Sequence, residues 1–341
     1  MRLAFNTALF AFTLPQANVV LAGQMSLSGG RGGPLRAKNQ IGDAAPPANS
    51  TPIAPGVRMP FANLGGVHSF PSNYSMWLTL GGRGLDTALI YDHSDHDVQW
   101  HVGAAVRASG LERKQVFVTT KVPCCPAKGV FVQDFDADAW CQKHGYYNGT
   151  QTIADSVEHD LAQLQLPFVD LLLLHWPCGT VAQTVAAYTQ LEPFVRSGQA
   201  RAIGVSNMNA SMLDAVIKGS TIPPAVNQCG MSIGAHNRST FGSDRTTLER
   251  CRLRGVTYQA YSPLGGLSDV DILHNPVVKS VAARHNVSTA TVALRWVVQQ
   301  AIPFVTSSTK AQYDMEDLGV VGDGSGAVQL SDAEMAMLAA V

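Results

Sequence analysis

The sequence predicts an α/β protein folded as a closed (β/α)8 TIM barrel, and three observations support this. Eight short apolar runs alternate with segments of helical spacing from residue 58 onward, and strand–helix alternation implies a parallel sheet. Eight such units are the number that closes a parallel sheet into a barrel. The length of 341 residues suits one such barrel, and no GxGxxG follows the first strand, so a Rossmann domain lacks its fingerprint.

The predicted strands are Phe61–Gly65, Gly84–Ala88, Val116–Lys121, Val169–His175, Ala202–Ser206, Ala225–Cys229, Val256–Tyr261 and Ile302–Thr306, each an apolar run bounded by turn residues. The intervening segments keep a helical period. DSVEHDLAQLQL (155–166) sets Val157, Leu161, Leu164 and Leu166 largely on one side. TVAAYTQLEPFVRSG (184–198) and STATVALRWVVQQ (288–300) behave alike, the latter with Ser288 placed as an N-cap.

The N-terminus reads differently. Residues 1–22 carry one early positive charge, an apolar stretch from Leu3 to Leu14, and small or branched residues before a cut after Ala22, the pattern of a secretory signal peptide. Residues 23–57 are rich in Gly, Pro, Ser and Ala and hold one acidic residue, Asp43. Such a segment buries too little apolar surface to order itself and reads as a disordered linker or a second targeting segment. The barrel then occupies 58–341. This organisation places the protein in the secretory pathway or an organelle; without a targeting role for the N-terminus, the expectation is the cytoplasm. No later stretch has the roughly 18 apolar residues a membrane span needs. Charged residues are 14% of the chain and the net charge is −1, so no basic stripe points to nucleic acid.

Six N-x-[ST] triplets start at Asn49, Asn73, Asn148, Asn209, Asn237 and Asn286. The six cysteines are Cys124, Cys125, Cys141, Cys178, Cys229 and Cys251. No CxxC spacing suggests zinc, so no metal site is expected. Buried thiols and disulfides remain equal alternatives from spacing alone.

Chemistry in these barrels sits at the C-terminal strand ends. GLDTALIY delivers Asp86 and then Tyr91 after the second strand, VFVTTK delivers Lys121 from the third, and VDLLLLHWP delivers His175 from the fourth. A lone histidine after an apolar strand is usually structural, and a lone strand-end lysine is usually solvated. An aspartate, tyrosine, lysine and histidine on three neighbouring strands point to catalysis.

At these residues the sequence resembles the aldo-keto reductases. GLDTALIY, VFVTTKV and VDLLLLHWP look like the family's successive strand signatures, and GVSN (204–207), VNQ (226–228) and YSPLGG (261–266) like its cofactor-contacting strand ends. The resemblance runs from about Met59 onward. It implies NAD(P)H-dependent reduction of aldehydes or ketones to alcohols, with a small-molecule carbonyl substrate and a monomeric protein. Tyr91 would be the proton donor. Lys121 would lower its pKa, Asp86 would hold Lys121, and His175 would orient the carbonyl. Ser206, Asn207 and Gln228 match the carboxamide-binding set, and Tyr261 the ring that stacks on nicotinamide. Ser262, Leu264 and Gly266 would approach the pyrophosphate.

The adenosine end departs from the family. Ser307 and Ser308 stand at the usual Lys-Ser positions and Tyr313 where an arginine would be, while Lys310 is the nearby cation. NADPH is the expected dinucleotide, with NADH or dual use the alternative. Val67 replaces a common pocket tryptophan, and Trp176 is expected to wall the pocket. A long insertion follows the third strand, at about 122–150, and the expectation is a pocket without the usual C-terminal loop. A bridge from Cys124 or Cys125 to Cys141 or Cys178 would pin the insertion over the pocket. The alternative to an active reductase is a catalytically weak cofactor-binding barrel with a regulatory or binding role. A glycan hydrolase would need two suitably spaced carboxylates, and Asp86 alone lies at a strand end in the mouth.

Overall fold

The computed structural model describes residues 49–66, 72–91, 98–125, 131–132, 135–143, 152–236, 242–266, 270–322 and 328–341. Its first strands, β1 (Ser50–Ala54) and β2 (Val57–Pro60), form an antiparallel hairpin. Then come β3 (Ala62–Gly65), β4 (Gly84–Asp86) and β5 (Phe117–Val122). A small hairpin, β6 (Phe131–Val132) with β7 (Phe135–Asp136), lies in the insertion. The series ends with β8 (Val169–Leu174), β9 (Ala200–Ser206), β10 (Val226–Gly230), β11 (Thr257–Tyr261) and β12 (Phe304–Thr306). Strands β3, β4, β5, β8, β9, β10, β11 and β12 close into a barrel in that order, β12 pairing with β3, and every pairing within it is parallel. These are the eight predicted strands, with ends shifted by one or two residues.

Strand alternation explains the run of leucines before His175. All six residues of β8 are buried. Leu171 and Leu173 pack inside the barrel with Phe117, Ala202, Val226 and Met59, whereas Leu172 and Leu174 pack into the helical layer. A strand buried on both faces needs no polar alternation. β8 ends at Leu174, and the rings of His175 and Trp176 that follow it lie together, with centroids 4.7 Å apart, Trp176 packing in the buried core.

The β1–β2 hairpin corrects the predicted linker boundary, since residues 50–57 belong to the folded unit. Val57 and Met59 are buried with the lower barrel core, and Ile53 and Ala54 pack against it. Arg201 fastens the hairpin, donating to Gly56 O (2.6 Å) while pairing with Asp170 (2.8 Å). The Gly- and Pro-rich composition around it masked these few apolar residues. The signal-peptide reading of 1–22 and the linker reading of 23–48 lie outside the described residues.

Helix ends follow their caps. Ser288 accepts from Thr291 N (3.0 Å) at the start of Thr289–Val298, as predicted. Thr152 caps Ile153–Leu164 with a capping box to Asp155. The predicted helical segment at 184–198 divides into Val181–Thr189 and Glu192–Arg196, with Pro193 at the start of the second helix. Asn73 and Asn209, read as glycosylation triplets, cap helices Tyr74–Thr79 and Ala210–Gly219 by accepting from Met76 N and Met212 N. Capping therefore gives those asparagines a structural reason. No helix among the described residues is long and apolar enough to cross a membrane.

Helix Val98–Ala108 packs against Ile153–Leu164 through Gly103. A Cβ there would lie 1.9 Å from Leu164 O, and Arg107 donates to that same carbonyl at 2.7 Å. Gly103→Ala should therefore destabilise the fold by about 1–3 kcal/mol through overpacking, outweighing alanine's helix-propensity gain of about 1 kcal/mol. A lower denaturant midpoint at unchanged m-value is expected; an unchanged or higher midpoint would show that the helices separate at little cost.

Candidate active site

The site is built around a buried charge. Lys121, inward-facing on β5, is fully buried, and Asp86 at the end of β4 is nearly so. The two form a close ion pair through Lys121 Nζ and Asp86 Oδ1. Lys121 Nζ also donates to Thr87 O at 3.0 Å. The second oxygen of Asp86 accepts from Gln228 Nε2 at 2.8 Å. Burial alone would pull the ammonium pKa down, but Asp86 and Tyr91 outweigh it, and the Lys121 pKa is raised. Lys121 is therefore a cation at neutral pH.

Tyr91 ends a short 3-10 turn, Leu89–Tyr91, that leaves β4 and returns the ring to the mouth. It is half-buried, with Lys121 Nζ 5.1 Å from its ring centroid. Its ring stands edge-on to His175, with centroids 5.7 Å apart and planes at 77°. Here the structure departs from expectation. Burial raises the Tyr91 pKa, Lys121 opposes it, Asp86 adds to it, and the result lies above the ordinary value of 10.0. Lys121 lowers the phenol's pKa relative to what burial would impose, but not below its solution value.

His175 is fixed by backbone and packing. Its N–H donates to Val122 O (2.9 Å), and its carbonyl accepts from Asn207 Nδ2 (2.9 Å). Its Nδ1 is buried without a hydrogen-bond partner. Burial first, then Lys121, holds its pKa well below 6.5, so the ring is neutral. Trp176 stacks beside it, centroids 4.7 Å apart and planes 30° apart. Trp176 is fully buried and packs beside the His175 ring.

The predicted carboxamide set converges on adjacent strands. Asn207, just past β9, adopts a left-handed conformation (φ 61°) and donates its backbone N–H to Gln228 O (3.0 Å). Its amide donates to His175 O and to Ser206 Oγ (3.1 Å), and Tyr261 OH donates to its Oδ1 (2.8 Å). Ser206 Oγ donates to Gln228 O (2.7 Å). Gln228 Nε2 gives its two hydrogens to Asp86 and to Gln259 Oε1 (2.8 Å), leaving the Gln228 side-chain carbonyl as an acceptor. That acceptor fits a carboxamide NH2 group. Gln259, inward on β11, was missed in the sequence; a buried glutamine within TYQAY is its only signal. Tyr74 was also missed. Its hydroxyl is buried without a partner, and its pKa is raised by burial and by nearby Asp86 and Tyr91.

The remaining predicted residues are more scattered. Ser262 is half-buried in a left-handed turn (φ 54°), Leu264 packs on the outer core, and Gly266 is exposed. Ser307 is exposed. Ser308 is buried and engaged: its N–H donates to Ser72 Oγ (3.2 Å), its carbonyl accepts from Asn73 N (3.3 Å), and its hydroxyl bonds Lys310 O and N (3.1 Å each). Tyr313 is exposed, with Lys310 Nζ 5.3 Å from its ring centroid. Val67 lies outside the described residues. Both expected cysteine partners are used: Cys124 pairs with Cys178 (Cα–Cα 5.0 Å) and Cys125 with Cys141 (5.8 Å). Cys229 and Cys251 are free and buried.

Comparison with known proteins agrees with this geometry. The family model described as "Aldo/keto reductase family" matches residues 73–341. Morphine 6-dehydrogenase of Pseudomonas putida is 31% identical over 297 residues, covering 83% of this chain and 88% of that one. The 9,11-endoperoxide prostaglandin H2 reductase of Trypanosoma cruzi (strain CL Brener) is 32% identical over 271 residues, covering 77% and 83%. Among solved structures, an aldo-keto reductase enzyme, MGS-M4, from a Medee basin deep-sea metagenome library superposes with a TM-score of 0.67 at 24% identity, covering 86% of this chain and 94% of that one.

The neutral state of His175 is directly testable. Below 6.5 the unfolded chain binds a proton that the folded ring refuses, so this residue costs the fold stability as pH falls from there and has no such effect above it. Nitrogen-15 NMR should show a neutral His175 ring at a pH of about 6, half a unit under the reference histidine value. An imidazolium at that pH would overturn the assignment.

Proposed function

Because the chain belongs to the aldo/keto reductase family, we propose that this oxidoreductase reduces an aldehyde or ketone to an alcohol, using a reduced nicotinamide dinucleotide. The convergence of Tyr91, Lys121, Asp86 and His175 at one barrel mouth carries this reading. Ser206, Asn207 and Gln228 would hold the carboxamide, Tyr261 would cover the ring, and the bound dinucleotide would supply the hydride.

Reduction leaves negative charge on the substrate oxygen, so a proton must reach it. Tyr91 is protonated throughout the neutral range, and its ring stands edge-on to His175. Lys121 stabilises the phenolate left behind, and it stays charged because Asp86 is locked against it. His175, neutral, acts as an N–H donor that aligns the carbonyl oxygen with the Tyr91 hydroxyl. A charged imidazole would compete with Tyr91 as acid, and its depressed pKa prevents that.

At the adenosine end, NADPH is the proposed dinucleotide, with NADH the alternative. Lys310 beside Tyr313 is the cation that supports a 2′-phosphate. The full occupation of Ser308 leaves Ser307 and Lys310 as the groups to meet it. The engaged Asp-Tyr-Lys-His cluster favours turnover over a purely regulatory barrel.

Tyr91→Phe should lower kcat by about 10²-fold or more, the contribution of a positioned general acid, while leaving the dinucleotide Kd nearly unchanged. Steady-state kinetics with a reactive aromatic aldehyde, paired with fluorescence titration of the dinucleotide, reads both quantities. Undiminished turnover would remove Tyr91 as the donor.

A further inference from the structure

His175 lacks the support usual for a functional histidine. A ring of this kind is normally oriented by a hydrogen bond at its second nitrogen, yet its Nδ1 is buried with no partner. Orientation must therefore come from what the ring packs against. Tyr91 lies edge-on at 5.7 Å, and Trp176 lies beside it at 4.7 Å. Trp176 is itself held by a directional contact, its indole N–H donating to Cys124 O at 2.7 Å.

Cys124 is half of the Cys124–Cys178 bridge, and the bridge has a specific place in the fold. Strands β5 and β8 are parallel neighbours, in register from Thr119↔Leu171 to Val122↔Leu174. Lys121 leaves the first and His175 the second. Each cysteine stands three residues beyond one of these two groups. The pairing of the strands ends with His175 N donating to Val122 O, and the disulfide closes the gap beyond it. Cys178 is anchored in turn, its N–H donating to Thr184 Oγ1 (3.0 Å) at the start of helix Val181–Thr189. The bridge is buried.

We infer that the Cys124–Cys178 disulfide is a positioning element for His175: it staples the strand ends that carry Lys121 and His175 and holds the Cys124 carbonyl where it fixes the Trp176 ring against the imidazole. The Cys125–Cys141 bridge has a different task, tying helix Ala137–Lys143 to the end of β5. This inference rests on the reductase reading for its kinetic consequence only; the ring geometry stands without it.

The test compares the full-length oxidised protein with Cys124→Ala/Cys178→Ala, Cys125→Ala/Cys141→Ala and Trp176→Phe. The first pair removes the staple but keeps the Cys124 carbonyl. Trp176→Phe keeps a stacked ring but loses the indole donor. Both should lower kcat about 10- to 100-fold, the scale of a small misplacement of a reacting group, with the dinucleotide Kd unchanged. The Cys125/Cys141 variant should retain kcat. In wild type the Trp176 indole N–H should exchange slowly with solvent by NMR, and in the Cys124/Cys178 variant rapidly. Wild-type kcat in a folded Cys124/Cys178 variant, or equal indole exchange, would overturn the inference; if that variant does not fold, Trp176→Phe decides it alone by the same criterion. A wild-type protein with slow indole exchange but no aldehyde turnover would remove the reductase reading and keep the staple.

Discussion

The ion pair between Lys121 and Asp86 is the interaction on which the site depends. Removing one partner of such a buried pair costs about 3–5 kcal/mol, because it strands the other charge. The fold meets that constraint from three sides. Strand β4 brings Asp86, strand β5 brings Lys121, and Gln228 from β10 satisfies the remaining carboxylate oxygen across the barrel. The charge so fixed sets the state of its neighbours. It limits the rise in the Tyr91 pKa and adds to the depression at His175. One protected cation thus favours a phenol that donates and an imidazole that stays neutral.

Much of this was legible in the sequence, for reasons that differ by residue. The strands were visible because doubly buried β-strands read as short apolar runs between turns. His175 stood out because an ionisable ring ended four leucines, two of which, Leu171 and Leu173, line the barrel interior. The net pKa of Tyr91 was not legible, because it depends on how deeply the turn Leu89–Tyr91 seats the ring, a property of packing. Gln259 and Tyr74 were missed because a buried polar residue within a strand or at a helix start resembles any other polar residue until its neighbours are known.

The insertion and the N-terminal boundary show the same limit. Spacing alone left the cysteines undecided between thiols and bridges. Topology brings Cys124 to Cys178 because β5 and β8 are neighbours in the barrel and not in the chain, 54 residues apart. The β1–β2 hairpin was hidden by the flexible composition around it, yet Val57 and Met59 complete the lower barrel core. The two ends of the barrel therefore use different means. Apolar side chains close the bottom, and buried polar bonds with a disulfide order the top, where rigidity must coexist with an open mouth.

The most direct measurement follows the loss of reduced-nicotinamide absorbance in the presence of a reactive aromatic aldehyde, using the full-length protein with NADPH and NADH separately. The account predicts aldehyde-dependent oxidation, faster with NADPH. Measurable dinucleotide binding without any aldehyde-dependent oxidation, across a range of aldehydes and ketones, would contradict it.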